Sequence, residues 1–338
     1  MTVSKTSGFS RTVCYDCGPI TLRLDFDDPT LPDALHSLLN QYDAPWSSPE
    51  IIYHASIETG AKPRNTVRPT GRYLQSYRLR VDRSGDTLHS LSEIGVWMDF
   101  DLARHSARIL VPDHPDRETV IEEIEQQLVL LLARGWANSG WTPLHGGSLI
   151  PPEDDRCVLV CAPSGVGKTT FIASLLRQGW RTLGDDKILL RREGNQVIAR
   201  AMARRFHLHP ATVRWFPETF VVADAPRYSR WTEKRVVQFE SLWPDRLLNR
   251  AVPMAVIRLE RGGSLPLMVE PLDPTHIFAT LLQQVAVPSD AQHARPLMAC
   301  VAALAPHLRG ARVMIGENAF DLPTLSTRLL DIMRDLLP

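Results

Sequence analysis

One short segment, residues 157–187, constrains the fold of this chain more than any other part of its 338 residues. It opens with an apolar run at 157–161, which is typical of a short buried strand. A glycine-containing loop follows, and then an apolar stretch at 171–176 that predicts a helix. About one helix later comes the adjacent pair Asp185 and Asp186, which we expect at the end of a short strand. A strand, a tight loop and a helix in this order predict an α/β core.

The loop between this strand and this helix, residues 162–169, fits the phosphate-binding pattern except that alanine replaces its first glycine. Gly165 and Gly167 let successive backbone N–H groups face one concavity, and the following helix adds its positive end. The pattern assigns Lys168 to the β- and γ-phosphates and the Thr169 hydroxyl to Mg²⁺. The alternative is an ordinary glycine-rich turn. The predicted nucleotide contacts are Ser164, Gly165, Val166, Gly167, Lys168, Thr169 and Thr170.

The motifs on either side of the loop resemble those of one family. Upstream lies the run Pro-Leu-His-Gly-Gly-Ser-Leu-Ile at 143–150, and downstream lies the run Gly-Asp-Asp at 184–186. This order is similar to that of the HPr serine kinase/phosphorylase family, whose core is related to that of phosphoenolpyruvate carboxykinase. The resemblance covers residues 143–190, is looser over 200–260, and does not extend before residue 130.

This resemblance implies a fold and three site residues. The fold is α/β, a P-loop kinase core of the HPr kinase/phosphoenolpyruvate carboxykinase type with a small N-terminal α/β domain. His145 falls at the family's active-site histidine, Asp185 at the base that takes the acceptor's hydroxyl proton, and Asp186 at the metal partner. Without the family, a lone histidine is more often a surface or satisfied core residue, and an aspartate pair is commonly a solvated turn. Beside the loop strand, however, carboxylates can face a bound Mg²⁺.

Two departures from the family bear on the acceptor. Thr170 stands where HPr kinases carry an acidic residue, and the glycine-rich signature segment that follows their aspartates is not found in this sequence. The pattern is closer to divergent HPr-kinase-like proteins of bacterial peptide-modification clusters, including kinases of lasso precursor peptides. The resemblance therefore implies a serine of a peptide or small protein as the acceptor, with HPr a poor substrate or none.

Two basic residues outside the loop are candidates for phosphate contacts. Arg205 belongs to an arginine cluster, and Lys234 lies in a segment with proline and aromatic residues, both within 200–240. An arginine fork and a lysine point charge both suit phosphate oxygens. For each residue the alternative is a solvated basic loop.

Composition narrows the class of protein. The 38 basic and 38 acidic residues balance, so we expect no general attraction to nucleic acid or to an anionic membrane. No apolar run approaches the length of about 18 residues that a membrane helix needs, and the first ten residues lack an apolar signal region. The sequence thus predicts a soluble, cytoplasmic protein, and its odd number of cysteines, five, argues against a disulfide framework.

The length allows two domains. Residues 1–115 alternate in short segments typical of a small α/β domain, whose role the sequence does not identify and which is a candidate for substrate recognition. A helix begins at Asp116 and ends at Gly135, so 116–140 is predicted to connect the domains. Residues 141–338 form the kinase-like domain with helices at its C-terminal end.

Taken together, these patterns predict an ATP- and Mg²⁺-dependent kinase that transfers the γ-phosphoryl group to a hydroxyl, and the resemblance implies a serine of a peptide or small protein as the acceptor. The residues alone support only Mg-nucleotide phosphoryl chemistry, and the resemblance supplies the substrate class. Two alternatives stay open: a small-molecule hydroxyl kinase, which would share every site residue, and a non-catalytic nucleotide-binding regulatory module. The sequence leaves open whether the chain forms a homo-oligomer.

Overall fold

The chain folds into two compact units, Met1–Ser139 and Gly140–Pro338, each with its own sheets and helices. Both units mix strands and helices, which gives the chain a mixed α/β fold. None of the helices in the described part of the chain has the length and apolar content needed to cross a membrane. The computed structural model describes residues 9–39, 42, 51–60, 69, 71–74, 78–202, 205–216, 221–229, 232–263, 267–285, 291–316, 319 and 325–336.

The first unit is built on one eight-stranded sheet. Its strands are β1 (Arg11–Cys17), β2 (Ile20–Phe26), β3 (Ile51–Thr59), β4 (Arg72–Leu74), β5 (Leu79–Ser84), β6 (Thr87–Leu91), β7 (Trp97–Asp101) and β8 (Ser106–Val111). Their order across the sheet is β1-β2-β3-β8-β7-β6-β5-β4. β3 pairs in parallel with both β2 and β8, and the other neighbours are antiparallel.

Two helices, α1 (Leu31–Leu39) and α2 (Arg117–Asn138), pack on this sheet and on each other. The strands alternate in the way that one covered face requires: in β2, Leu22 and Leu24 are buried, whereas Thr21 and Arg23 are partly exposed. At the start of α2, Asp116 accepts hydrogen bonds from the two backbone N–H groups of Glu118 and Thr119, as the predicted helix start requires.

The end of α2 differs from the prediction. The sequence places it at Gly135, but the helix continues to Asn138. A Cβ atom at Gly135 would lie 2.5 Å from Cδ1 of Ile20 and 3.2 Å from Cε2 of Tyr53, so the glycine allows the helix to approach the sheet closely. Because α2 packs against α1, β2 and β8, the helix predicted to connect two domains is a structural part of the first unit.

The second unit has a larger, branched sheet. Its strands are β9 (Thr142–His145), β10 (Gly147–Leu149), β11 (Arg156–Cys161), β12 (Lys187–Glu193), β13 (Gln196–Ala201), β17 (Arg250–Arg261), β18 (Leu267–Leu272) and β19 (Arg309–Ile315). The order β10-β11-β17-β13-β12-β9 branches at β17, which also pairs with β19, and β19 pairs with β18. β11, β17 and β19 run parallel, so their carboxyl ends meet at one edge.

A separate three-stranded antiparallel sheet consists of β14 (Arg205–Leu208), β15 (Arg227–Ser229) and β16 (Thr232–Gln238), with β16 in the middle. The described helices of this unit are α3 (Lys168–Leu176), α4 (Phe239–Leu242), α5 (Pro274–Gln283), α6 (Ala291–Leu304) and α7 (Leu325–Leu336). Phe206 and Leu208 of β14 share one apolar core with Phe171 and Leu175 of α3. This shared core holds the small sheet beside the helix that follows the loop.

Candidate functional site

A strand, a loop and a helix come together at the carboxyl edge of the parallel strands. The side chains of β11 are fully buried at Val158, Leu159 and Val160, as the apolar run predicts, and the helix predicted over 171–176 begins three residues earlier, at Lys168. Between them, Gly165 (φ 82°) and Gly167 (φ 108°) adopt left-handed backbone conformations that favour glycine. The loop is therefore held open at the edge where α/β proteins bind ligands.

The outer part of the loop is accessible and anchored from the next strand. Pro163, Ser164 and Gly165 are exposed, while Val166, Gly167, Thr169 and Thr170 are partly exposed. Arg261, at the end of β17, donates a hydrogen bond to the carbonyl oxygen of Gly165 at 3.0 Å. Six of the seven predicted loop contacts are thus at least partly exposed, whereas Lys168 is buried.

Lys168 and Thr169 of the loop each contact one of the paired aspartates. Nζ of Lys168 lies 3.4 Å from Oδ1 of Asp186, and Nδ1 of His145 lies 3.4 Å from the same oxygen. The Thr169 hydroxyl donates a hydrogen bond to Oδ2 of Asp185 at 2.7 Å. The structure therefore brings together all five residues to which the sequence assigns catalytic or metal-binding roles.

The aspartate pair reaches the loop by a different route from the predicted one. The prediction that the pair ends a strand beside β11 is wrong, because Asp185 and Asp186 directly precede β12, and β12 pairs with β9 and β13. The segment before the pair instead runs along β10: Ile150 and Arg181 exchange two backbone hydrogen bonds of 2.8 Å, and the N–H of Ser148 donates to the carbonyl of Gly184. Because β10 pairs with β11, the pair still arrives beside the loop.

Gly147 of β10 sets how closely Asp185 can approach. A Cβ atom there would lie 3.1 Å from Cα and 3.0 Å from the carbonyl oxygen of Asp185, and 2.2 Å from Cδ1 of Ile172. Gly147→Ala should therefore push the aspartate segment outward and lower the free energy of unfolding by about 1–3 kcal/mol. Urea unfolding of the parent and the variant measures this change, and equal midpoints would show that the close approach is not needed.

The carboxyl group of Asp185 is buried and incompletely hydrogen-bonded. The residue is 2% exposed, and its Oδ1 has no hydrogen-bond partner. Burial, with the neighbouring charge of Asp186, raises its pKa to about 7, although the Thr169 bond and the charges of Lys168 and Lys234 oppose the shift. A carboxylate with a pKa near neutrality and one oxygen that has no hydrogen-bond partner can accept a proton.

Asp186 and His145 differ from Asp185, because the pKa of each is lowered. Burial works against ionisation of Asp186, but the positive charges of Lys168 and of a protonated His145 lower its pKa below the usual value. Desolvation by the surrounding protein lowers the pKa of His145, and the negative charge of Asp186 only partly opposes this shift. At neutral pH the site thus holds an ionised Asp186 and a neutral His145, whose side chain is 47% exposed.

The raised pKa of Asp185 predicts a pH dependence of stability in the metal-free protein. Between its ordinary pKa of 3.8 and about 7, Asp185 is ionised in the unfolded chain but protonated in the folded chain. Its contribution to stability should therefore fall as the pH rises through this window, by at most about 1.4 kcal/mol per pH unit. Asp185→Asn lacks this group, so the free energy of unfolding of the parent should fall relative to that of the variant. Parallel pH dependences in urea unfolding would contradict this.

The two predicted basic residues lie in the small sheet, Arg205 in β14 and Lys234 in β16. The charge of Lys234 acts on the pKa values of Asp185 and His145, so Lys234 lies within electrostatic range of both groups. The charge of Arg205 acts on the pKa of His207, which is buried, and so do the charges of Asp186 and Lys234. Sequence analysis gives His207 no role, although its i,i+2 spacing from Arg205 is the signal that both lie on one face of a strand.

The residues present fit a Mg²⁺ ion. Among the described residues no group of three His, Cys, Asp or Glu side chains is placed to hold a metal, but Mg²⁺ usually keeps water and substrate phosphate oxygens and needs only one or two carboxylates. Asp186 is ionised, and the Thr169 hydroxyl keeps lone pairs while it donates its proton to Asp185.

Comparisons with solved structures find distant likenesses, of which one is described here. The HPr(Ser) kinase/phosphatase from Coxiella burnetii matches with a TM-score of 0.32 and 13% sequence identity, over 57% of this chain and 94% of that one. No family model matches the chain, and no curated protein is significantly similar to it.

Proposed function

We propose that this protein is an ATP- and Mg²⁺-dependent kinase that transfers the γ-phosphoryl group to a hydroxyl. The observation that carries the proposal is the double contact between loop and aspartate pair: Lys168 with Asp186, and Thr169 with Asp185. Phosphoryl transfer requires a phosphate-binding lysine, an oxygen that ligates the metal, and a carboxylate that orients or deprotonates the acceptor. All three groups meet at this one edge of the sheet.

The loop and its helix would bind the nucleotide phosphates. Residues 164–167, which are exposed or partly exposed, offer backbone N–H groups, the N-terminus of α3 adds its positive end, and Lys168 supplies a full charge. Thr169 and Asp186 would hold the Mg²⁺, whose charge would neutralise the negative charge that builds up on the transferred group. Arg205 and Lys234 would add further positive charge from the small sheet.

Asp185 is the proposed general base. Its Oδ1, which has no hydrogen-bond partner, and its pKa of about 7 suit a group that takes a proton from a hydroxyl near neutral pH. His145, neutral and partly exposed, contacts Asp186 and so would help to orient that carboxylate. The sequence resemblance described above supports a serine of a peptide or small protein as the acceptor, and the missing signature segment argues against HPr.

Mass spectrometry of candidate acceptors tests the proposal. The protein, ATP and Mg²⁺ are incubated with any serine-containing short peptides encoded beside its gene, with HPr in a parallel reaction and with EDTA as the control. The expected result is Mg²⁺-dependent phosphoserine on a peptide and little or none on HPr. Efficient stoichiometric phosphorylation of HPr would overturn the proposed acceptor, and failure of Mg-ATP to bind at all would overturn the proposed function.

A further inference from the structure

The sheet formed by β14, β15 and β16 has two chemically different faces. Alternation along β14 sends Phe206 into the apolar core and sends Arg205 and His207 to the opposite face. In the neighbouring strand Val236 pairs directly with His207, and Lys234 lies two residues away from Val236, so Lys234 shares the face of His207. One face of the sheet is therefore core, and the other carries a histidine between two cations.

His207 is buried against an aromatic ring, and its Nε2 lacks a hydrogen-bond partner. It is 7% exposed, its Nε2 is buried without a partner, and its ring stacks on Tyr228 with the centroids 3.8 Å apart. Burial lowers its pKa to about 3, so the ring is neutral at physiological pH. A buried polar atom without a partner disfavours the folded state, so its presence here calls for an explanation.

The position of His207 suggests what the missing partner is. The charges of Asp186, Lys187 and Lys234 all act on it, and Asp186 is itself in contact with Lys168 of the loop. If Lys168 reaches the β- and γ-phosphates, the terminal phosphate is the anion that lies next to this face. A neutral imidazole N–H can donate to a phosphate oxygen, and the bond is stronger because the acceptor is charged.

We propose that His207 is a positioning residue that donates a hydrogen bond from Nε2 to an oxygen of the γ-phosphate, with Lys234 beside it. This inference rests on the proposed function, because it requires a nucleoside triphosphate on the loop. It assigns a new role: the small sheet distinguishes the triphosphate from the diphosphate and fixes the terminal group for transfer. Because Mg-ADP has no γ-phosphate, the affinity for Mg-ADP should not depend on His207.

The test compares the two nucleotides by isothermal titration calorimetry. His207→Phe keeps an aromatic ring to stack on Tyr228 and removes the nitrogen. Its affinity for Mg-ATP should fall roughly 10-fold or more, as for the loss of a hydrogen bond to a charged group, while its affinity for Mg-ADP stays that of the parent. His207→Gln, which keeps an N–H donor, should recover part of the loss. Tyr228→Phe, which keeps the ring and loses only the hydroxyl, should bind both nucleotides like the parent.

The outcomes separate this role from a structural one. Thermal unfolding should show that His207→Phe is at least as stable as the parent, because it removes an unpaired buried polar atom. If affinities for Mg-ATP and Mg-ADP fall together, or if neither falls, the inference is wrong and the loop assignment stands. If His207→Phe does not fold, His207→Gln decides by the same ATP-to-ADP comparison. A parent that binds neither nucleotide contradicts the proposed function itself.

Discussion

Replacement of Asp185 by asparagine is expected to slow phosphoryl transfer by roughly 10²–10⁴-fold, the usual worth of a general base. Asparagine keeps the size of the side chain and can still accept the hydrogen bond that Thr169 donates to Asp185. It lacks the basicity of the carboxylate, whose pKa burial raises to about 7. The affinity for Mg-ATP should change little. Steady-state ATP turnover and calorimetric binding, measured on the same samples, separate the two effects.

Asp186→Asn is the matched control for this experiment. It makes the same substitution at the adjacent position, but at the residue that contacts Lys168 and His145. We expect it to weaken the metal-dependent part of nucleotide binding, because an ionised oxygen ligand is lost. Exchanged phenotypes would exchange the two roles and leave the kinase proposal intact. If neither variant changes turnover, the aspartate pair has no part in catalysis.

Removal of the loop lysine should have the largest effect on binding. Lys168→Met keeps an apolar stem in a position that is 8% exposed and deletes the charge. The affinity for Mg-ATP should fall roughly 10- to 100-fold, the range expected for a lost hydrogen bond between charged groups. The free energy of unfolding should fall as well, because Asp186 loses its closest lysine.

Arg177→Met is the control for Lys168→Met. Arg177 caps the opposite end of α3, so this variant removes one positive charge from the same helix away from the loop. Its affinity for Mg-ATP should equal that of the parent. If the two variants lose affinity for Mg-ATP to the same extent, a change in general electrostatics accounts for the loss and the phosphate-binding assignment of Lys168 is wrong.

Local features were predictable from the sequence. The buried strand, the loop and the helix at 157–176 are confirmed, because an apolar run, positive-φ glycines and a helical pattern each leave a local signal. The helix start at Asp116 is confirmed for the same reason, since its carboxylate caps the backbone N–H groups of its own first turn.

Features that depend on long-range pairing were not predictable. The sequence cannot show that residues 181–184 hydrogen-bond along β10, and this contact rather than a strand beside β11 brings Asp185 to the loop. Gly135 looks like a helix end, but it is a point of close packing against Ile20. In the small sheet, short strands rich in charged residues give almost no periodic signal, so the shared face of Arg205, His207 and Lys234 emerges only from the pairing of β14 with β16.

Hydrogen–deuterium exchange with and without Mg-ATP tests the central claim, that a nucleotide binds at the loop beside the aspartate pair. In the free protein Ser164 and Gly165 of the loop are exposed, so their backbone amides should exchange readily. Mg-ATP should slow exchange in peptides covering residues 162–170 and 182–187, and the first unit should be unchanged. Exchange that is the same with and without Mg-ATP, or protection confined to the first unit, would contradict the account.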